Sequence, residues 1–275
     1  AWSVGNEYAA DTPEGVAWTK DMVAFTRGLD STRPVTFVSN TVAKAGLRSP
    51  EDEGSAFVDF VCLNTYGRTP RENAANIDRA HARHPGKPLL VTEYGFRHDF
   101  AGDETERIDW FREMLAVARA RPFVSGLSVW SFNDYRSRYV GTNPNGWREW
   151  GLVATDRTPR ATYHALRREH GGFLLRSATL AGGKLTVRLE TRDDFPVFPP
   201  ADCELRVAFS DGQNRPVATV SAPLRPGAAQ EFAVPAGAAI YRLEDPLDRC
   251  LHVGDQKRIG QIPQPRPQVA LQIDP

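Results

Sequence analysis

The first half of the chain alternates short apolar runs with longer amphipathic segments. The apolar runs predict buried strands at Trp2–Asn6, Val35–Val38, Phe57–Leu63, Leu89–Val91 and Leu127–Trp130. The amphipathic segments predict helices over Glu14–Leu29, Arg71–His84, Glu104–Ala120 and Pro159–Glu169. Strands that alternate with helices in this way predict an α/β fold with a parallel sheet, of the kind found in (β/α) barrels.

The first predicted helix has a clear start. Thr12 is a suitable N-cap and Pro13 suits the first helical position. Its apolar residues are expected to form the buried side, namely Val16, Met22, Val23 and Phe25.

The pattern changes after Gly171 and Gly172. Short runs of alternating apolar and polar residues, separated by Gly, Pro and Asp-Gly turns, predict an antiparallel β-sandwich over residues 172–244. Residues 1–171 therefore form one predicted domain. Residues 245–275 are rich in Pro, Gln and Arg and are predicted to form an extended tail.

Two of the predicted strands end in a carboxylate. Glu7 follows the first strand, and Glu93 follows the strand that begins at Leu89. The carboxyl ends of barrel strands meet at one face, so the two side chains are expected to face each other across its mouth. Such a pair can perform glycoside hydrolysis, with one general acid/base and one nucleophile. The alternative is that both glutamates are surface charges, which their shared position on two strands of one sheet disfavours.

Composition narrows the function classes. The 275 residues include 34 basic and 34 acidic ones, a balance that predicts neither a nucleic acid nor a membrane surface as partner. The cysteines, Cys62, Cys203 and Cys250, match neither a disulfide framework nor a zinc pattern. The proposed chemistry requires no metal and no cofactor. No compartment is indicated.

Four segments resemble motifs of glycoside hydrolase family 2, the beta-galactosidase and beta-glucuronidase family. They are Trp2–Glu7, Cys62–Gly67, Thr92–Gly95 and Gly126–Arg136. The resemblance implies that Glu7 is the acid/base, Glu93 the nucleophile and Asn6 a ligand of the sugar 2-hydroxyl. It also implies that Tyr66 donates a hydrogen bond to the nucleophile, which lowers its pKa, and that Trp130 forms the floor of the sugar site.

Further polar residues are expected to contact substrate. Asn64 lies at the mouth, and the last strand and the loop that follows it supply Asn133, Asp134, Asn145 and Arg148. Loops on the catalytic face determine substrate choice in barrels. Arg148 could pair with a uronate carboxylate or could brace the loop. The residues alone leave both roles open.

The resemblance implies an α/β fold with a partial (β/α)8 TIM barrel, of which this chain carries strands 4–8. The rest of the barrel, or a second copy of this chain, is the expected protein partner. The expected function is that of a retaining exo-acting beta-glycosidase on a carbohydrate substrate, beta-galactosidase first and beta-glucuronidase second. The alternative is a non-catalytic or sugar-binding remnant that is inactive without the missing half.

Overall fold

The computed structural model describes residues 1–192, 194, 203–244 and 257–258. The chain divides into two units, Ala1–Leu166 and Arg167–Pro275. The described parts of each unit are presented separately.

The first unit alternates parallel strands with helices, as the sequence predicts. Its main strands are β1 (Trp2–Asn6), β2 (Val35–Ser39), β3 (Val61–Asn64), β4 (Leu89–Tyr94) and β5 (Val124–Val129). A short hairpin follows, formed by β6 (Tyr135–Arg136) and β7 (Trp147–Arg148). The helices are α1 (Pro13–Leu29), α2 (Pro70–Arg83), α3 (Glu104–Arg119) and α4 (Ala161–Glu169), the last of which extends past the division between the units.

The five strands form one sheet in the order β1-β2-β3-β4-β5, and every neighbouring pair is parallel. This arrangement confirms the predicted alternation of strands and helices. The sheet has β1 and β5 at its edges and is not closed into a barrel over the described residues. All five strands point the same way, so their carboxyl ends lie at one edge of the sheet, where a parallel sheet binds its ligands.

The sheet is buried where its strands are apolar. β3 is buried along its whole length, and Phe37 of β2 and Val91 of β4 have no exposed surface. α3 packs its apolar side inward, with Phe111, Met114 and Leu115 fully buried. These contacts fix the strands that carry the polar residues at the sheet edge.

Helix α1 differs from its prediction on one face. It begins as predicted, because the Thr12 side chain accepts a hydrogen bond from the Gly15 amide and Pro13 occupies the first turn. Val23 is buried, but Phe25 is 60% exposed and was wrongly assigned to the buried side. Its spacing from Val23 places it on the opposite face of the helix.

The third strand starts later than predicted. Residues Gly54–Phe57 form a 3-10 turn, and β3 begins only at Val61. The carboxylate of Asp59 accepts a hydrogen bond from the Val35 amide, and the buried Glu53 accepts one from the Ser55 amide. These two bonds fix the segment before β3, and Phe57 and Val58 lie outside the strand although both are apolar.

The second unit contains two antiparallel sheets. One has the order β11-β10-β13-β14 and the other β12-β9-β8. The strands are β8 (Phe173–Ala181), β9 (Lys184–Thr191), β10 (Glu204–Ser210), β11 (Pro216–Pro223), β12 (Ala229–Ala233), β13 (Ile240–Glu244) and β14 (Lys257–Arg258). Leu185 and Leu189 of one sheet share a buried cluster with Leu205 and Phe209 of the other, which agrees with the predicted sandwich.

Part of the predicted tail is described. Lys257 and Arg258 pair with β13, and the rest of residues 245–275 lies outside the described residues. Cys62 is buried and free, as is usual for a small core cysteine. Among the described helices, none combines the length and apolar character that crossing a membrane requires.

Candidate active site

The carboxyl ends of β1, β3 and β4 bring together five of the polar residues that the sequence singled out. The Asn64 amide nitrogen lies 2.9 Å from Glu7 Oε1 and 3.4 Å from Asn6 Oδ1. The Tyr66 hydroxyl donates a hydrogen bond to Glu93 Oε2. Asn64 also pairs in register with Glu93, so the two predicted glutamates lie together at this edge of the sheet, although 85 residues separate their positions in the chain.

Irregular strand register explains how neighbouring side chains reach the same site. Along β1, Ser3 pairs with Thr36 but Asn6 pairs with Val38, so β1 carries an extra residue. Along β4, Val91 pairs with Leu63 but Glu93 pairs with Asn64. A bulge of this kind redirects a side chain that regular alternation would send to the other face.

The backbone at Glu7 is also unusual. Its φ is +51°, a left-handed conformation that non-glycine residues rarely adopt. Its amide still donates to the Val38 carbonyl at 2.9 Å, so the residue is held in this conformation at the end of the sheet. A rare conformation at a strand end with a carboxylate is typical of a functional site.

Glu93 and Tyr66 have shifted pKa values. Burial raises the pKa of Glu93, hydrogen bonds from Tyr66 and Asn64 lower it, and the charge of Glu7 raises it, with a net upward direction. The hydrogen bond from Tyr66 thus lowers the pKa of Glu93, as the sequence analysis expected, but burial raises that pKa by more. Burial, the bond to Glu93 and the charges of Glu93 and Glu7 raise the pKa of Tyr66 well above its ordinary value, so its hydroxyl is a permanent donor.

Aromatic residues border the carboxylates. Trp130 follows β5, is 37% exposed, and donates from its indole nitrogen to the Tyr135 hydroxyl at 3.0 Å. The peptide bond between Trp130 and Ser131 is cis. The Tyr66 ring meets the Trp150 ring edge-on, with centroids 5.1 Å apart. Trp130 is therefore accessible at the same edge as Tyr66, while Trp150 supports Tyr66 from its side.

Two predicted substrate ligands have structural partners instead. Asp134 is buried, forms an ion pair with Arg160 at 2.7 Å and accepts a hydrogen bond from the Gly151 amide. Asn133 accepts from Arg157 and donates to the Asp134 carbonyl. Because their polar atoms are engaged within the protein, both residues brace the segment after β5.

Asn145 and Arg148 belong to the β6–β7 hairpin. Asn145 accepts from the Trp147 amide at 2.9 Å, so it stabilises the turn. The Arg148 guanidinium lies over the rings of Tyr139 and Trp150, and its Nη1 is 3.5 Å from the Tyr135 hydroxyl. Arg148 is thus connected to Trp130 through Tyr135, whereas Asn145 has a role in the turn.

A brace for this hairpin was missed by the sequence analysis. Arg97 is 3% exposed, pairs with Asp99, and donates to the Gly141 carbonyl and the Asn143 side chain. Its partners in the hairpin, Gly141 and Asn143, are more than forty positions away, so no local pattern could reveal the brace. The only available signal was its position just after Glu93.

Within the described residues, no group of three or more His, Cys, Asp or Glu side chains could hold a metal ion. The cluster at the sheet edge consists of carboxylates, amides and a phenol. These groups can transfer protons, attack a carbon atom and bind hydroxyl groups.

Curated proteins of similar sequence include beta-glucuronidases. The chain is 27% identical to the Homo sapiens beta-glucuronidase over 190 residues, which covers 62% of this chain and 28% of that protein. The Mus musculus beta-glucuronidase is 26% identical over 191 residues, with the same coverage. The chain therefore spans about 28% of the length of these curated relatives.

Solved structures are similar as well. A beta-glucuronidase from an uncultured Clostridium sp. superposes with a TM-score of 0.53 at 25% identity and covers 61% of this chain and 31% of that one. The Ruminococcus gnavus beta-glucuronidase has the same kind of fold, with a TM-score of 0.51 at 23% identity over 60% of this chain and 31% of that one. The family model described as "Glycosyl hydrolases family 2, TIM barrel domain" matches residues 1–173. The chain therefore belongs to glycosyl hydrolase family 2.

Proposed function

We propose that this chain carries the catalytic carboxylates of a retaining beta-glycosidase, with Glu93 as nucleophile and Glu7 as acid/base. The observation that carries the proposal is that both carboxylates lie at the same edge of the sheet, each with its own donor. Asn64 donates to Glu7 at 2.9 Å and pairs in register with Glu93, whose carboxylate accepts a hydrogen bond from the Tyr66 hydroxyl.

Retaining glycosidases place their carboxyl groups about 5–5.5 Å apart, and inverting ones about 6.5–9.5 Å apart. Membership of glycosyl hydrolase family 2 supports retention. The proposal therefore expects Glu7 and Glu93 at the shorter spacing, with no water molecule between the sugar and Glu93.

The reaction has two steps. Glu93 attacks the anomeric carbon while Glu7 donates a proton to the leaving oxygen, and a glycosyl-enzyme forms. Glu7 then removes a proton from water, the water oxygen attacks the anomeric carbon, and the bond to Glu93 breaks. Tyr66 keeps Glu93 oriented, Trp130 provides a flat apolar surface for the sugar, and Asn6 binds a sugar hydroxyl.

We rank a beta-glucuronide ahead of a beta-galactoside as the substrate, which reverses the order expected from the sequence. The names of the relatives support this choice. Arg148 also supports it, since its guanidinium reaches the Tyr135 hydroxyl that holds Trp130. A guanidinium beside the sugar floor suits a uronate carboxylate.

The edges of the sheet suggest where a protein partner binds. Trp18, Phe25 and Leu29 lie on one exposed face of α1, and Trp2 of the edge strand β1 is 48% exposed. An apolar face beside an unpaired strand edge is suited to pairing with further strands and helices. The remainder of a barrel, or a second copy of this chain, fits that chemistry.

The test is hydrolysis of a panel of aryl beta-glycosides that includes a glucuronide and a galactoside. Glu93→Ala should lose at least about 10²-fold in kcat/KM on every leaving group. Glu7→Ala should lose much more on phenyl glycosides than on dinitrophenyl glycosides, because the better leaving group needs less protonation. Glu113→Ala, at an exposed glutamate of α3, is the matched control.

Three results would count against the proposal. They are a folded chain that hydrolyses no member of the panel, turnover that persists in Glu93→Ala, and a Glu7→Ala effect that is independent of the leaving group. The first would favour the non-catalytic remnant.

A further inference from the structure

Arg97, four positions after Glu93, is a buried arginine whose hydrogen bonds reach the β6–β7 hairpin. Its Nη1 donates to the Gly141 carbonyl and its Nη2 to Asn143 Oδ1, both at 2.8 Å. Its Nε donates to Asp99 Oδ1 at 2.8 Å, and that carboxylate balances the buried charge. A guanidinium only donates and a backbone carbonyl only accepts, so the contact with Gly141 has one possible direction.

The β6–β7 hairpin is too short to be stable by itself. Each strand has two residues, and an isolated two-stranded hairpin is marginally stable at best. Within the loop, the Asn143 amide donates to the Trp147 carbonyl at 3.2 Å. From outside the hairpin, Arg97 bonds this loop, and the His98 amide donates to the Glu149 carbonyl just after β7 at 2.7 Å. The segment after β4 therefore holds both the loop and the end of the hairpin.

The hairpin in turn positions the residues proposed to contact the sugar. Tyr135 of β6 accepts the hydrogen bond from Trp130 Nε1 at 3.0 Å, and Arg148 Nη1 of β7 lies 3.5 Å from the same hydroxyl. Arg148 Nε is buried and has no hydrogen-bond partner in the part of the chain that the structure describes, so the position of this guanidinium depends on the hairpin and on the rings around it. A shift of the hairpin would therefore move Trp130 and Arg148 together.

The segment that carries Arg97 starts at the nucleophile strand. β4 ends at Tyr94, whose carbonyl accepts a hydrogen bond from the Trp130 amide at 2.9 Å. A Cβ atom at Gly95 would lie 2.3 Å from the Trp130 carbonyl oxygen, so the two backbones are in close contact. Arg97 follows two residues later and links the hairpin to the strand that carries Glu93.

We propose that Arg97 is a positioning residue that fixes the β6–β7 hairpin relative to the nucleophile strand and thereby sets Arg148 and Trp130 to bind the sugar. The inference deepens the function proposed above and rests on it for its catalytic meaning. A purely structural Arg97 would contribute to stability and leave sugar affinity unchanged when it is replaced in a folded chain. A positioning role instead weakens sugar binding more than it slows the chemical steps, because Glu7 and Glu93 are held by strands of the sheet.

The planar guanidinium suits this role because one group bonds three acceptors in fixed directions. An ammonium is a compact point charge on a flexible stem and has no such fork. Arg97→Lys keeps a cation beside Asp99 but cannot bond Gly141 and Asn143 with the same geometry. It should therefore fold and still bind the sugar more weakly than wild type.

The experiment measures ligand binding without turnover, together with hydrogen exchange in the hairpin, in the full chain. The probe is phenyl beta-thioglucuronide, which resists hydrolysis, with the thiogalactoside in parallel. Arg97→Met and Asn143→Ala should each raise the dissociation constant by about tenfold, the effect of one lost hydrogen bond to a charged group. The backbone amides of residues 137–147 should exchange faster with deuterium in both variants. On an aryl glycoside, KM should rise by a similar factor and kcat should change by less than about threefold.

Arg121→Met is the matched control. Arg121 is also partly buried, and its guanidinium bonds the Asp78 carboxylate at 2.7 Å and the Val117 carbonyl at 2.8 Å. It lies just before β5 begins, at the opposite edge of the sheet from the site. The control variant should leave the dissociation constant and the exchange of the hairpin amides unchanged.

Asn143→Ala retains the ion pair between Arg97 and Asp99, so it decides the question if Arg97→Met does not fold. A folded Arg97→Met or Asn143→Ala with the wild-type dissociation constant would overturn the inference, as would an equal loss of affinity in Arg121→Met.

The proposed function is judged separately, on the wild-type chain. A wild type that binds the thioglycoside but hydrolyses no glycoside would refute the proposed function, while weaker binding in the variants would still support the inference. An active wild type whose variants bind equally well would refute only the inference. A wild type that binds neither thioglycoside would refute both.

Discussion

Tyr66→Phe removes one hydroxyl from the site and nothing else. That hydroxyl donates to Glu93 and cannot ionise, because burial and the neighbouring carboxylates raise the pKa of Tyr66 far above its ordinary value. The ring of Tyr66 rests edge-on against Trp150, a contact that phenylalanine preserves. The variant therefore isolates the hydrogen bond from the packing.

The size of the expected pKa shift follows from the charge of Glu93, which accepts the hydrogen bond. A hydrogen bond to a charged group contributes about 1.5–3 kcal/mol. Because Tyr66 is 40% exposed, water can partly replace the hydroxyl, so we use the lower end, about 1.5 kcal/mol. Since one pKa unit corresponds to about 1.36 kcal/mol, the pKa of Glu93 should rise by about one unit.

The assay is the pH dependence of kcat/KM for an aryl beta-glycoside, whose acid limb reports the nucleophile in the free enzyme. The acid limb of Tyr66→Phe should move up by about one pH unit. Tyr8→Phe is the control, because its hydroxyl bonds Thr19 at 2.6 Å and does not contact Glu93. An acid limb that does not move in Tyr66→Phe, or that moves equally in Tyr8→Phe, would refute the reasoning.

Other consequences concern stability. The pKa of Glu93 is raised above its ordinary value of 4.5, so ionisation of this carboxyl lowers the stability of the folded protein as pH rises through the folded pKa. Glu93→Gln should therefore have a higher Tm than wild type near pH 7. The gain should vanish below about pH 4. Asp134→Asn leaves the largely buried Arg160 without its counterion and should cost about 3 kcal/mol in urea unfolding. Asp78→Asn, in a more exposed pair, should cost at most about 1 kcal/mol. Gly95→Ala would place its Cβ 2.3 Å from a backbone carbonyl and should cost about 1–3 kcal/mol together with activity. Gly28→Ala, in the open face of α1, should instead stabilise the chain by up to about 1 kcal/mol. Equal Tm values for Glu93→Gln and wild type at neutral pH, or equal costs within either pair of variants, would contradict these expectations.

The strands and helices of the first unit could be predicted because each has a simple periodic pattern. Continuous apolar runs gave the parallel strands, and Thr12 with Pro13 marked the start of α1. The order of the strands in the sheet follows the chain, so the carboxyl ends that carry Glu7 and Glu93 could be placed at one edge without knowledge of any contact.

The details of the site could not be predicted, because they depend on register and on distant contacts. Regular alternation would send the side chains of Thr92 and Glu93 to opposite faces of the sheet. With the extra residue in β4, Glu93 pairs in register with Asn64 while the Thr92 hydroxyl donates to the Asn64 side chain. Asp134 was expected to contact substrate, and the structure adds a buried ion pair that the sequence did not indicate. Its partner Arg160 is 26 positions away, and nothing local signals that ion pair.

The loop after β5 shows the same limitation. Its many polar residues were expected to contact substrate, yet Asn145 stabilises the turn and Arg97 anchors the loop from the segment after β4. Composition alone cannot distinguish residues that hold a loop from residues that the loop presents. Arg148 is the residue of this loop that the geometry keeps close to Trp130.

The most direct test of the account is to trap the glycosyl-enzyme. An activated 2-deoxy-2-fluoro beta-glucuronide, with the corresponding galactoside in parallel, should react once and then stall, because the fluorine destabilises the positively charged transition state of both steps. Mass spectrometry of a digest should then find one sugar residue attached to the peptide that contains Glu93, and no label in Glu93→Gln. A label on Glu7, or a folded wild-type chain that acquires none, would contradict the assignment of Glu93 as nucleophile.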